Sequence, residues 1–173
     1  LLFDEQGKLV MTTDALAIAE VDLDAAIRQP QMDEPLPADS KAVNFPDFDA
    51  EPCYAAAMEL RFARGKFGDG DVMAWMRMRH PLLQGVEAYP LERVMVAADS
   101  GNGVSQRLST REYTYLNPDL AVTLSRPAQG EWIGLGARTD MDARGIGVAD
   151  TRLYDERGPI GRGIQTLLIR KRD

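Results

Sequence analysis

The sequence has one cysteine, Cys53, and one histidine, His80. A single cysteine allows no internal disulfide, so nothing in the chain calls for an oxidising compartment, and a cytoplasmic protein is expected. A single histidine excludes a zinc site built on several histidines, leaves a Ser-His-Asp triad with one candidate base, and supports the expectation of no metal. No run of about 18 apolar residues is present, so no spanning helix and no membrane partner are expected. No leader can be read, with its charged start, apolar stretch and small-residue cleavage site. Basic residues are not in excess: the net charge is −7, and no nucleic-acid partner is expected. An initiator methionine is also missing. The chain opens on apolar, strand-like Leu1, Leu2 and Phe3 and is expected to begin inside a longer protein.

What is present divides the 173 residues into three parts. Residues 1–19 read as a hairpin around the turn Asp4-Glu5-Gln6-Gly7. Residues 20–52 hold nine acids against two bases, which accounts for the whole net charge, and five of the ten prolines. They fall in the glycine-free interval between Gly7 and Gly65. Such a stretch is stiff and self-repelling, and reads as a connector crossing a surface. Residues 53–173 form a domain-sized block. Strand patterns cover 58–63 and 72–79, and the second is apolar on both faces. Residues 90–100 read as a helix, with Pro90 and Glu92 in its first turn and Gly101 after its end. Further strand patterns cover 110–126, 132–139, 147–154 and 159–170, separated by glycine-bearing turns. Two strands, one helix and a run of strands specify an α+β domain in which the helix covers one face of an antiparallel sheet.

A shift of 151 positions lays the first hairpin over the last. Leu2, Asp4, Glu5, Gly7, Leu16 and Ile18 meet identical residues at Leu153, Asp155, Glu156, Gly158, Leu167 and Ile169. A shared turn would explain the middle of this match but not the common register of its apolar ends. Residues 1–19 are therefore read as the closing hairpin of a first domain similar to the second, in a tandem with pseudo-two-fold symmetry.

The ordered set Asn117-Pro118-Asp119-Leu120, Ser125-Arg126-Pro127, Glu131-Trp132-Ile133-Gly134-Leu135, Gly147-Val148-Ala149-Asp150 and 153–165 resembles the C-terminal half of double hot-dog acyl-CoA thioesterases. The resemblance spans roughly 53–170, with 1–19 as the end of the first hot dog. It implies an α+β hot-dog fold, a long helix wrapped by a curved antiparallel sheet, in a tandem double hot dog truncated at its N-terminus. It also implies hydrolysis of acyl-CoA by an activated water with no covalent nucleophile. No cofactor is implied beyond the coenzyme A of the substrate, and a homo-oligomer is expected. The family's catalytic Asp falls on Asp99 and its last-strand glutamine on Gln165. Its third position, a hydroxyl residue in the family, is Asn117 here.

The residues also speak for themselves. Leu91, Met95 and Asp99 are spaced i, i+4, i+8, which puts Asp99 on an apolar stripe expected to face the sheet. A carboxylate there needs a partner or a task; the plain alternative is a helix-end residue in solvent. Gln165 shares a strand face with Gly161, Gly163, Leu167 and Ile169, opposite Ile160, Arg162, Ile164 and Thr166, and reads either as a site residue beside ligand space or as a buried structural amide. Asn117 precedes Pro118 and reads as a site residue or a strand irregularity. His80 and Cys53 read as structural, and Gly101-x-Gly103 and Gly161-x-Gly163 lack a dinucleotide fingerprint. The tail Arg170-Lys171-Arg172 reads as a solvated terminus, with contact to cofactor phosphates as the alternative. Two rivals to hydrolysis remain at this point: an acyl-binding or scaffold hot dog without turnover, and a hydratase or dehydratase.

Overall fold

A computed structural model describes residues 1–19, 21–28, 30–46 and 52–172. Two short strands, β1 (Leu2–Phe3) and β2 (Leu9–Met11), form an isolated antiparallel hairpin whose side chains are all exposed. A turn of 3₁₀ helix at Pro37–Asp39 leads into β3 (Lys41–Val43). Then come helix α1 (Tyr54–Ala57), strands β4 (Met58–Arg64) and β5 (Asp71–Met78), and helices α2 (Pro90–Ala98) and α3 (Gly101–Val104). Five strands follow: β6 (Tyr113–Leu116), β7 (Ala121–Leu124), β8 (Ile133–Met141), β9 (Ile146–Asp155) and β10 (Gly158–Lys171). The main sheet runs β3-β4-β5-β8-β9-β10-β6, with β7 also on β10, and every pairing is antiparallel. Among the described residues no helix is long and apolar enough to cross a membrane.

The sheet is buried on both faces at its centre. Val72, Ala74 and Met76 of β5 join Leu60, Ile133, Leu135, Ala137 and Leu153 under Val94, Ala97, Ala98 and Val104 of the helices. Met73 and Trp75 point the other way, against Trp132 and Tyr154, with Met32 packed on them. This is why β5 does not alternate in sequence. The second face is closed by the proline-rich stretch, whose Pro35 carbonyl accepts the Trp75 indole N–H at 2.8 Å and whose Pro37 carbonyl accepts from Arg61 at 2.9 Å. Arg61 and Arg77 lie over the Trp132 ring at 4.8 and 4.9 Å. Deleting a side chain as large and as buried as Trp75 costs about 3–5 kcal/mol.

Four details differ from the sequence reading. The stretch 20–52 is not connector throughout: β3 lies inside it and pairs with β4 through Lys41, Ala42 and Val43, with Val43 packed on the core. Three residues ending in one apolar side chain are too short a pattern to stand out among prolines and acids. The strand pattern over 110–126 is two strands, because Pro118 has no N–H for the ladder. The helix expected over 90–100 ends at Ala98 and continues, after a bend at Asp99 and Ser100, as α3. Ile160 is fully buried rather than beside Arg162, because the β9–β10 register shifts between Pro159 and Gly161 and turns that residue inward.

Candidate active site

Strand β10 is long enough to serve two neighbours. Its first half pairs with β7, from Gly161 to Ile164, and its last residues pair with β6, from Leu168 to Lys171. The break between β6 and β7, residues 117–120, therefore lies opposite Gln165, Thr166 and Leu167. The Asp119 carboxylate takes over the missing ladder there, accepting the Thr166 backbone N–H at 2.8 Å and its hydroxyl at 3.0 Å. The break leaves Asn117 free to turn toward the end of α2.

Asp99 caps that end. Asn117 Nδ2 donates to Asp99 Oδ1 at 2.8 Å. Gln165 Nε2 donates to the Asp99 backbone carbonyl at 3.0 Å and to Oδ1 at 3.4 Å, while Gln165 Oε1 accepts the Asn102 backbone N–H at 3.1 Å. A backbone N–H can only donate and a carbonyl can only accept, so these partners define which way the buried Gln165 amide points. The arrangement needs Gly101: a Cβ there would collide with the Thr151 hydroxyl and stand 3.1 Å from Gln165 Oε1. Asp99 Oδ1 thus receives two amide donors, and Oδ2 accepts no hydrogen bond from the described residues.

Asp99 does not face the sheet. The residues of α2 that do so are Val94, Ala97 and Ala98, whose small side chains let the helix lie close. Leu91 and Met95, 57% and 38% exposed, share the outward stripe with an exposed Asp99. The large apolar residues marked the wrong face, because a helix packed tightly on a sheet spends its small residues on the contact. The outward side borders two depressions. One, of about 670 Å³, is apolar and is lined by Leu82, Tyr89, Leu91, Met95, Val96 and Pro127 among others. The second, of about 430 Å³, holds Asp99 and Asn117 together with Tyr54, Gln106, Tyr113 and Arg172. Gln165 does not line either; it stands behind Asp99.

Tyr54 and Ser100 were not singled out by the sequence. The Tyr54 hydroxyl bridges the Val96 carbonyl and Ser100 Oγ, both at 2.8 Å. Because the carbonyl can only accept, the phenol proton goes to Val96 and the serine donates to the phenol. Burial, opposed by the serine hydrogen bond and reinforced by the Asp99 charge, pushes the Tyr54 pKa up to about 12, so the phenol stays protonated. Ser100 is thereby a buried donor, not a nucleophile facing a base. No sequence signal could have found this pair, since it joins residues 46 apart through one hydroxyl contact. Cys53 is half-buried before α1 and His80 is exposed after β5; neither lines either depression.

The acyl-CoA thioesterase C-terminal domain family matches residues 37–169. The chain belongs to that family. Its fold is the α+β hot dog, and as an acyl-CoA thioesterase domain it is a hydrolase of thioesters. Solved structures with the same fold include acyl-CoA thioesterase II TesB2 from Mycobacterium marinum, 14% identical, with a TM-score of 0.56 over 88% of this chain and 60% of that one. A tesB protein from Mycobacterium avium subspecies paratuberculosis is 11% identical, with a TM-score of 0.56 over 86% of this chain and 57% of that one. A thioesterase family protein from Silicibacter pomeroyi is 20% identical, with a TM-score of 0.50 over 65% of this chain and 85% of that one. The chain thus spans under two thirds of the two mycobacterial proteins. No curated protein sequence matches it.

Proposed function

We propose that this thioesterase domain hydrolyses acyl-CoA with Asp99 as general base. The observation that carries the reading is the Asp99 carboxylate, held through one oxygen by two amides while the residue borders a cavity. The carboxylate accepts a proton from a water as the water oxygen bonds to the thioester carbonyl carbon. The tetrahedral intermediate then expels the sulfur, the C–S bond breaks, and the proton held by Asp99 passes to the thiolate, leaving a free acid, a thiol and the carboxylate restored. A thioester is already activated, so a modest base with good positioning suffices. Asn117 has a second N–H beyond the one given to Asp99, and that group meets the carbonyl oxygen as charge develops on it. Gln165 is a positioning residue: its amide orients Asp99 and does not touch substrate. The acyl chain runs back along the helix over Met95 and Leu91.

The test is turnover of an acyl-CoA panel by thiol release. Asp99→Asn keeps the shape and removes the base, and is expected to lose about 10²–10⁴-fold in kcat. Gln165→Ala is expected to cost about 10–10²-fold, and Asn117→Thr, whose single O–H cannot serve both Asp99 and the carbonyl oxygen, about 10²-fold. Ser100→Ala and Cys53→Ala keep turnover. The exposure of Asp99 favours one rival, an acyl-binding hot dog without turnover. That reading predicts acyl-CoA binding with no thiol release and no effect of Asp99→Asn.

A further inference from the structure

Arg172 lines the same depression as Asp99 and Asn117. Pairing of Leu116 with Leu168 and of Tyr113 with Lys171 carries β6 and β10 side by side, and the Arg172 N–H continues the ladder to the Glu112 carbonyl at 2.7 Å. Arg172 Nε donates to the Thr110 carbonyl at 2.8 Å, which aims the side chain; its two terminal nitrogens have no partner among the described residues. Other charges near this end are Glu112 across the ladder, Arg170, Lys171 and Asp173 beside it in sequence, and Arg111, which has an interaction of its own. The wall between Arg172 and Asn117 is polar and aromatic: Thr110, Tyr113, Thr114 and Tyr115.

We propose that Arg172 recognises the phosphate that terminates the pantetheine arm of the thiol carrier. The inference rests on the thioesterase reading of Asp99 and adds the direction in which substrate lies. The length supports it. Asn117 is five positions along β6 from the residue opposite Arg172, about 17 Å at ~3.4 Å per strand residue. The arm of coenzyme A has about thirteen bonds from sulfur to the first phosphorus, and at the ~1.2 Å per bond of an extended peptide it spans about 16 Å. With the thioester beside Asp99 and Asn117, that phosphate reaches the guanidinium. A guanidinium fork bonds two phosphate oxygens at once, whereas an ammonium offers only a point charge. The arm's two amides meet the hydroxyl-bearing wall, and the acyl chain departs the other way, over Met95.

The experiment compares Arg172→Ala and Arg172→Lys with the unaltered chain on three thioesters of one acyl group: acyl-CoA, acyl-4′-phosphopantetheine and acyl-pantetheine. Arg172→Ala is expected to raise KM about tenfold for the first two, with kcat unchanged, and to leave kcat/KM for acyl-pantetheine unaltered. Arg172→Lys is expected to fall between. Equal losses on all three substrates would mark a structural role and overturn the proposal, as would no loss on any. A loss confined to acyl-CoA would place the contact on the nucleotide phosphates and also overturn it. Calorimetric binding of free coenzyme A is the second readout. If the unaltered chain hydrolyses none of the three, the hydrolytic reading falls, and the proposal then stands on a tenfold weaker binding in Arg172→Ala or fails on unchanged binding.

Discussion

Two hairpins in this chain begin with the same letters and end in different circumstances. Asp4-Glu5-Gln6-Gly7 and Asp155-Glu156-Arg157-Gly158 both turn through an aspartate that accepts the backbone N–H two residues on, at 3.0 and 2.9 Å. Both close on a glycine in the left-handed region, at φ 78° and 137°. Beyond the turn they part. The strands around the first are two and three residues long and exposed; those around the second have ten and fourteen and form the middle of the sheet. Asp4 adds only the Lys8 N–H. Asp155 is fully buried, accepts both terminal nitrogens of Arg126 at 2.5 and 2.7 Å, and takes the Gln129 N–H at 2.9 Å. Burial pushes the Asp155 carboxyl up in pKa, but Arg126 and the two backbone amides outweigh it and hold the group below its ordinary value. Identical local chemistry therefore forms the turn in both places and makes a structural anchor in only one.

Breaking the buried anchor has the largest expected effect. Asp155→Ala takes the paired carboxylate from Arg126, leaving it only the Gly158 and Pro127 carbonyls, strips two backbone N–H groups of their acceptor, and is expected to cost about 3–5 kcal/mol in urea unfolding. The same pair sets an acid limb. Because the folded value is depressed, its stabilisation is full above the ordinary Asp value of about 4 and is lost as pH falls through the folded one. Asp155→Asn should flatten that part of the stability-against-pH curve, and an unchanged slope below pH 4 would show that the carboxylate is not the source.

Glycine makes the next comparison. Gly158→Ala would strain a positive φ and bring a Cβ to 2.8 Å from the Pro30 carbonyl, whereas nothing lies within 4 Å of a Cβ at Gly7. The first should cost about 1–3 kcal/mol. The second should alter only the hairpin and leave the main transition in place.

The smallest effect belongs to Asp4→Ala, within about 0.5 kcal/mol of the unaltered chain. A loss as large as that of Asp155→Ala would mean that residues 1–11 are packed on another body in solution, and the contrast between the hairpins would disappear.

Much of the architecture could be read from local signals. Glycine turns and apolar runs located β4, β5, β8, β9 and β10, because each is a long segment with turn chemistry at one end or both. The start of α2 was equally plain: Pro90 needs no N–H partner, and Glu92 accepts the Tyr89 N–H at 3.0 Å. What local signals missed depended on partners far along the chain. The shift that buries Ile160 belongs to the pairing of two strands, and the worth of Lys41–Val43 as a strand depends on the open edge of β4.

The site follows the same division. Asp99, Asn117 and Gln165 stand out as candidates through resemblance and through their own oddities: a carboxylate on an apolar stripe, an amide before proline, an amide on a glycine face. Those oddities are properties of neighbours in sequence, and so they show in the letters. That one amide grips Asp99 from beside the cavity while the other grips it from behind is a property of three elements meeting. So is the outward direction of Asp99, which follows from the small residues that α2 places against the sheet. Residue types and spacings settle which turns, strands and helix the backbone can form, because those depend on contacts a few residues long. Which turn becomes an anchor, and which carboxylate faces a cavity, is settled by contacts such as Arg126 with Asp155 and Gln165 with Asp99, 29 and 66 residues apart, that exist only when the sheet has closed.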